Sequence, residues 1–124
     1  MHVRLYRSAR IEELPAVRRE LRRLLQQVGA PEEAIFAVLV ACSEACSNAI
    51  CHPLQPNPAA FELEAQADPD EVRIIVRDFG NWRQKPSGDP GGMGLLLMRS
   101  LMDSVRLQRF RNGSTVCMQR RLSA

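Results

Sequence analysis

The stretch from Ile35 to His52 reads IFAVLVACSEACSNAICH, and its length and apolar character predict the central helix of a domain core. Glu44, Asn48 and His52 recur in it every four residues, so all three lie on one helical face. A carboxylate or an amide on a buried face is costly unless it has a partner. This polar face therefore predicts either a hydrogen-bond network inside the core or a site for a ligand.

The length and composition of the chain indicate one globular domain over residues 1–124, since 45% of its residues are hydrophobic and 25% are charged. No apolar run is long enough to cross a bilayer, and the N-terminus lacks the apolar core of a signal peptide. We therefore expect a cytoplasmic protein without a membrane partner. The net charge of +3 comes from arginines spread along the chain without interleaved aromatic residues, which argues against a nucleic-acid partner.

The four cysteines are Cys42, Cys46, Cys51 and Cys117. The first two lie one helical turn apart in an apolar stretch, where a free cysteine packs as a small hydrophobic residue. The first three could be combined with His52 as a zinc site, but their spacing matches none of the usual ligand pairs. We favour packing over metal binding.

Hydrophobic periodicity along the whole chain predicts the element order β-α-α-β-β-α-β-β. The predicted strands cover residues 2–7, 61–67, 72–76, 105–110 and 115–122, and the predicted helices cover 15–28, 30 to 51 or 52, and a segment that opens at 92 and includes LLLMRSLMDSV. This third helix is apolar on almost all sides and is therefore expected to be buried. The order implies an α+β fold, a two-layer α/β sandwich in which three helices cover one face of a mixed, mostly antiparallel sheet.

Three places carry polar or glycine residues that the fold alone does not require. Glu44 and Asn48 form the first, and DFG at 78–80 forms the second, where glycine lets the backbone approach a ligand. The third is GGMG at 91–94, a helix start whose free backbone N–H groups favour phosphate. The loop of about 81–92 is rich in proline and glycine and is predicted to be a lid.

These places, taken in order, resemble the ATP-binding domain shared by histidine kinases, DNA gyrase and the Hsp90 chaperones. The chain is most similar to the bacterial anti-sigma factor serine kinases within that group. The resemblance covers nearly the whole chain and is carried by EACSNAICH (44–52), VRDFG (76–80), GGMGLLLMRSLMDSV (91–105) and NGSTVCMQRRL (112–122). It implies a single ATP-binding kinase domain with the Bergerat-type fold, ATP and Mg²⁺ as cofactors, and a lid over the phosphates.

The resemblance also implies roles for individual residues. Asn48 would coordinate a Mg²⁺ that bridges the phosphates, and Glu44 would act as the base on the attacking hydroxyl. Asp78 would accept a hydrogen bond from the adenine amino group, and Gly80 would let the base pack closely. The residues implied at the phosphate end are Gly92, Met93, Gly94 and Leu95. Ser114 or Thr115 is implied in a water-linked contact with adenine.

The chain departs from the family pattern in the lid. Trp82 stands where many relatives have the second glycine of Asp-x-Gly-x-Gly, which puts the lid geometry in question. The phosphate loop has no lysine, so positive charge would come from Mg²⁺ or from Arg83, Lys85 or Arg99. His52 is interpreted as a bystander at the helix end rather than as a catalytic group.

As a function, the resemblance implies an ATP-dependent protein serine/threonine kinase that acts as an anti-sigma factor. Such a protein binds a sigma factor, phosphorylates an anti-anti-sigma partner and forms a homodimer. The alternative is a non-catalytic switch that binds nucleotide or a partner protein, although Glu44 argues against it because a pure binder needs no base. The catalytic domain of a sensor histidine kinase is a third reading, disfavoured because no dimerisation helices with a phospho-accepting histidine are present. Whether the chain is a free protein or part of a longer one stays open.

Overall fold

The computed structural model describes residues 1–51, 60–79, 92–110 and 113–122. Nine elements occur in these ranges: β1 (His2–Ser8), a 3-10 helix (Ile11–Glu13), α1 (Leu14–Gln27), α2 (Glu32–Cys51), β2 (Ala60–Ala67), β3 (Glu71–Asp78), α3 (Gly92–Leu101), β4 (Ser104–Phe110) and β5 (Gly113–Arg121). The predicted order of strands and helices is confirmed. No helix in the described part of the chain is long and apolar enough to cross a membrane.

The five strands form one sheet in the order β1-β2-β3-β5-β4, and all four neighbouring pairs are antiparallel. We expected a mixed, mostly antiparallel sheet, and no pair among these strands is parallel. A single helix connects β3 to β4, and such a crossover makes two strands run in the same direction. These two strands do run in the same direction. They are not neighbours, however, because β5 inserts between them and pairs antiparallel with both.

One row of inward-facing side chains crosses all five strands and forms the floor of the core. Its members share one register position in each pairing: Leu5, Leu63, Val76, Val116 and Leu107. The opposite face of the sheet carries cross-strand ion pairs instead, such as Arg77 with Glu62 at 2.8 Å. The sheet is therefore mainly apolar towards the helices and mainly polar on its other face, as expected for an antiparallel sheet with one covered face.

Helix α2 is the central helix of the covering layer, as its sequence predicts. It packs against α1, α3 and β3, and Val38, Ala41 and Cys46 on it are fully buried. Helix α1 ends before Gly29, whose φ of +78° is a conformation that suits glycine and helix ends.

The prediction that the third helix is buried is wrong for one of its faces. Met98 is 1% exposed, but Leu96 and Leu97 are 63% and 37% exposed. Helix α3 ends at Leu101 and packs against α2 and β4, and Arg120 of β5 donates a hydrogen bond to the Leu101 carbonyl oxygen. One face of the helix is therefore covered, whereas Leu96 lies on an uncovered one. An apolar sequence on all sides therefore does not distinguish a buried helix from one at the margin of a layer.

Candidate functional site

The carboxylate of Asp78 lies at the end of β3 and is buried, with 6% of the residue exposed. The pairing of β3 with β5 places it opposite Ser114. The backbone N–H of Ser114 donates to Oδ1 at 3.2 Å, and its hydroxyl donates to Oδ2 at 2.5 Å. These two hydrogen bonds orient the carboxylate group.

Gly113 makes this pairing possible. A Cβ atom at this position would lie 2.0 Å from the carbonyl oxygen of Asp78, a distance at which no side chain fits. The start of β5 can therefore approach the end of β3 only with glycine here. In the sequence, Asn112-Gly113 predicts only a two-residue hairpin turn, and Asn112 itself lies outside the described residues.

The structure separates the two hydroxyls that the sequence offered as alternatives. Ser114 is 5% exposed and faces the helices with Asp78. Thr115 is the next residue along β5, so its side chain lies on the other face of the sheet, in register with Arg77. This placement corrects the inclusion of Thr115 in the predicted site, because alternation along a strand cannot bring both hydroxyls to one face.

A cavity lies between this end of the sheet and the helices α2 and α3. Its free space is about 20 Å³, enough for about one water molecule. The residues that line it are Ala45, Asn48, Ala49, Val76, Asp78, Leu95, Met98, Leu107, Arg109, Ser114 and Val116. Four of the predicted site residues, Asn48, Asp78, Leu95 and Ser114, therefore meet at one cavity, and each comes from a different sequence motif.

Glu44 and Asn48 meet the first turn of α3 at Gly94. A Cβ atom at Gly94 would lie 2.9 Å from Oε2 of Glu44 and 3.4 Å from Nδ2 of Asn48. The missing side chain thus lets the start of α3 approach both polar groups closely. Because the first N–H groups of a helix have no partner within it, this contact is a place where an anion is favoured.

Other predicted positions are only partly described. Gly92 is the first residue of α3, and Met93 follows it in the same turn. The Arg99 side chain is exposed on α3 and does not line the cavity. The remaining predicted positions lie outside the described residues: Gly80, the lid of about 81–92 up to residue 91, Trp82, Arg83, Lys85 and His52.

Cys42 and Cys46 are buried in the core, as the packing interpretation predicts. Burial raises the pKa of the Cys46 thiol to about 12. Burial, with a smaller contribution from Cys46, also raises the pKa of Cys42 well above its usual value. Zinc binds thiolates, so these two protonated thiols are poor ligands. The described residues contain no group of three or more His, Cys, Asp or Glu side chains that could hold a metal.

The sequence interpretation missed Arg109. This residue lies on β4 directly across from Ser114 and lines the cavity. A two-residue turn at 112–113 would pair residue 109 with residue 116, whereas the structure pairs it with Ser114. The sequence therefore did not indicate the register that brings Arg109 to Ser114.

Comparison with known proteins gives the following matches. A family model described as the histidine kinase-like ATPase domain matches residues 7–120. A serine-protein kinase RsbW of Bacillus licheniformis is 29% identical over 98% of this chain and 86% of its own length. One of Bacillus velezensis is 30% identical over 86% of this chain and 77% of its own length. An anti-sigma F factor of Clostridium kluyveri is 26% identical over 73% of this chain and 72% of its own length.

A solved structure also resembles the chain. A crystal structure of RsbU and RsbW domains from Mycobacterium tuberculosis matches it with a TM-score of 0.83 and 25% sequence identity. The match covers 100% of this chain but 33% of the solved one, so the chain spans about one third of that longer protein.

Proposed function

Because the chain belongs to the histidine kinase-like ATPase domain family, we propose that it is an ATP-dependent protein serine/threonine kinase that acts as an anti-sigma factor. The observation that carries this proposal is the cavity between the sheet and α2/α3. A buried, oriented carboxylate, Asp78, lies at one end of it. The contact of Glu44 and Asn48 with Gly94 lies at the start of α3, beside Leu95 in the wall.

At the sheet end, Asp78 would receive a hydrogen bond from the exocyclic amino group of adenine. An ionised carboxylate accepts hydrogen bonds but cannot donate them. It therefore cannot pair in this way with guanine, which has a carbonyl oxygen where adenine has this amino group. The pair formed by Asp78 and Ser114 would therefore favour ATP over GTP. The apolar side chains of Val76, Leu107 and Val116 would contact the faces of the base.

At the helical end, Asn48 would hold Mg²⁺ and Glu44 would accept the proton of the attacking serine hydroxyl. The donor set fits this metal: Mg²⁺ prefers oxygen ligands and is usually held by few protein groups together with phosphates and water. The space that a Cβ at Gly94 would fill, between Glu44 and Asn48, also supports the fit. Bound Mg²⁺ would neutralise charge on the phosphates during transfer, which leaves positioning as the main task of the protein.

The partners in this proposal are a sigma factor and an anti-anti-sigma protein that carries the serine. Support comes from the relatives, which are named serine-protein kinase RsbW and anti-sigma F factor. Phosphorylation would add negative charge to the docking surface of the substrate and release it from the complex. The kinase would act in the cytoplasm, as a homodimer when the sigma factor is bound.

The decisive experiment incubates the protein with labelled ATP, Mg²⁺ and anti-anti-sigma proteins from the same genome. We expect label on one serine of one of them. Glu44→Gln should retain ATP binding and lose transfer, whereas Glu33→Gln, an exposed carboxylate on the same helix, should transfer normally. Nucleotide binding without transfer to any partner would instead identify a non-catalytic switch.

A further inference from the structure

Arg109 lies in the same cross-strand row as Asp78. Ser114 is in register with Asp78 on one side and with Arg109 on the other. All three side chains face the helices, because all three line the same cavity. Neighbouring strands are about 4.8 Å apart, so two strand spacings put the backbone of Arg109 about 10 Å from that of Asp78.

The next row along the strands is the apolar floor of the cavity. It consists of Val76, Val116 and Leu107, each two residues before or after a member of the first row. A planar base held by Asp78 at one end would extend over this floor towards β4. Arg109 is the charged side chain at that far end, and it is exposed, which places it at the rim of the cavity.

We propose that Arg109 is a nucleotide-binding residue that contacts the base and ribose, rather than the phosphates, of the nucleotide. This inference rests on the proposed function. The guanidinium group is planar and weakly hydrated, and it stacks on aromatic rings as well as donating hydrogen bonds. Arg109 shares its row with the carboxylate proposed to bind adenine. The proposed phosphate end is elsewhere, at the contact of Glu44 with Gly94 where α2 packs on α3.

Arg106 provides a matched control. It lies on the same strand, three residues before Arg109, and is exposed as well. Its odd spacing from Arg109 puts it on the opposite face of the sheet, next to Arg73, Ile75 and Cys117 rather than at the cavity. Replacing either arginine removes one positive charge from β4, but only one replacement alters the cavity.

The test measures the binding of adenosine, ADP and ATP by calorimetric titration. It compares the wild type with Arg109→Gln, Arg109→Lys, Arg106→Gln and, as a variant of the proposed adenine contact, Asp78→Asn. We expect Arg109→Gln to lower the affinity for all three ligands by a similar factor, on the order of 3- to 30-fold. Arg109→Lys should lose less affinity, since it keeps the charge. It also serves as the second variant if Arg109→Gln folds poorly. Arg106→Gln should bind like the wild type, and circular dichroism reports the folding of each variant.

Several results would overturn the inference. A loss that grows from adenosine to ATP would assign Arg109 to the phosphates. If both Arg109 variants bind with unchanged affinity while Asp78→Asn binds more weakly, Arg109 does not belong to the site. The proposed function would then still hold. A wild type that binds none of the three ligands would overturn the proposed function and this inference together.

Discussion

Ser114 and Asp78 form a hydrogen-bonded pair across two strands: the backbone amide and the hydroxyl of Ser114 donate to the two carboxylate oxygens of Asp78. Both residues are buried, so the hydrogen bonds form where water competes little for them. The pair therefore fixes the orientation of the carboxylate before any ligand arrives. Preorganisation of this kind lowers the ordering cost of binding.

Ser114→Ala should lower both stability and nucleotide affinity. It removes the hydroxyl donor from a buried carboxylate and should reduce the free energy of unfolding by about 1–3 kcal/mol. Thr115→Ala is the control, because the adjacent hydroxyl lies on the other face of the sheet. Urea denaturation and ATP titration of both variants measure the effects. Equal losses in the two variants would show that the Ser114 hydroxyl has no special role.

Gly113→Ala should destabilise the protein and weaken nucleotide binding, because its Cβ would collide with the carbonyl oxygen of Asp78. Forcing a methyl group into such a contact typically lowers the free energy of unfolding by about 1–3 kcal/mol. Gly29→Ala is the comparison: φ is also positive there, but nothing lies within 4 Å of the added atom. It should lose stability while the folded protein binds ATP normally. Normal ATP affinity in Gly113→Ala would contradict the predicted coupling to Asp78.

Gly94→Ala should impair phosphoryl transfer without unfolding the protein. The added Cβ would lie 2.9 Å from Oε2 of Glu44, so the carboxylate must move. Displacing a catalytic group by about 1 Å can slow transfer on the order of 100-fold, whereas alanine suits a helix better than glycine. Ser100→Ala, an exposed position on the same helix, should leave the rate unchanged. A normal transfer rate in Gly94→Ala would mean that Glu44 is not held at this contact during the reaction.

The buried thiols predict a loss of stability at alkaline pH. Burial raises the pKa of Cys46 from 9.0 to about 12 in the folded protein, and it raises the pKa of Cys42 as well. Above pH 9 the unfolded chain therefore binds fewer protons than the folded one, and stability falls as the pH rises. Each thiol contributes at most about 1.4 kcal/mol per pH unit.

Urea midpoints at pH 7 and above pH 9 test this dependence in the wild type and in the double variant Cys42→Ala/Cys46→Ala. The double variant starts from a lower stability, because its core side chains are smaller. Its stability should nevertheless decline less steeply with pH. An equal decline in both proteins would show that the thiols are not the titrating groups.

The secondary structure was predictable from the sequence because its signals are local. The alternation of β2 and β3, the apolar stripe of α1 and the glycine after it each depend on residues close together in the chain. The grouping of Glu44 with Asn48 followed from helical periodicity for the same reason. Helix α3 was predicted as a helix, but its exposed face was not, since exposed leucines look the same in a sequence as buried ones.

By itself the sequence determined the helices and strands, the central helix among them, and a set of polar residues that are too costly to bury without a partner. Only the tertiary structure decided which of them meet: that β5 inserts between β3 and β4, that Ser114 rather than Thr115 faces Asp78, and that Arg109 reaches the same cavity. The physical reason is the range of the interactions. Strand neighbours and sheet faces depend on pairing between distant residues, and the close approaches at Gly94 and Gly113 exist only once those pairings have formed.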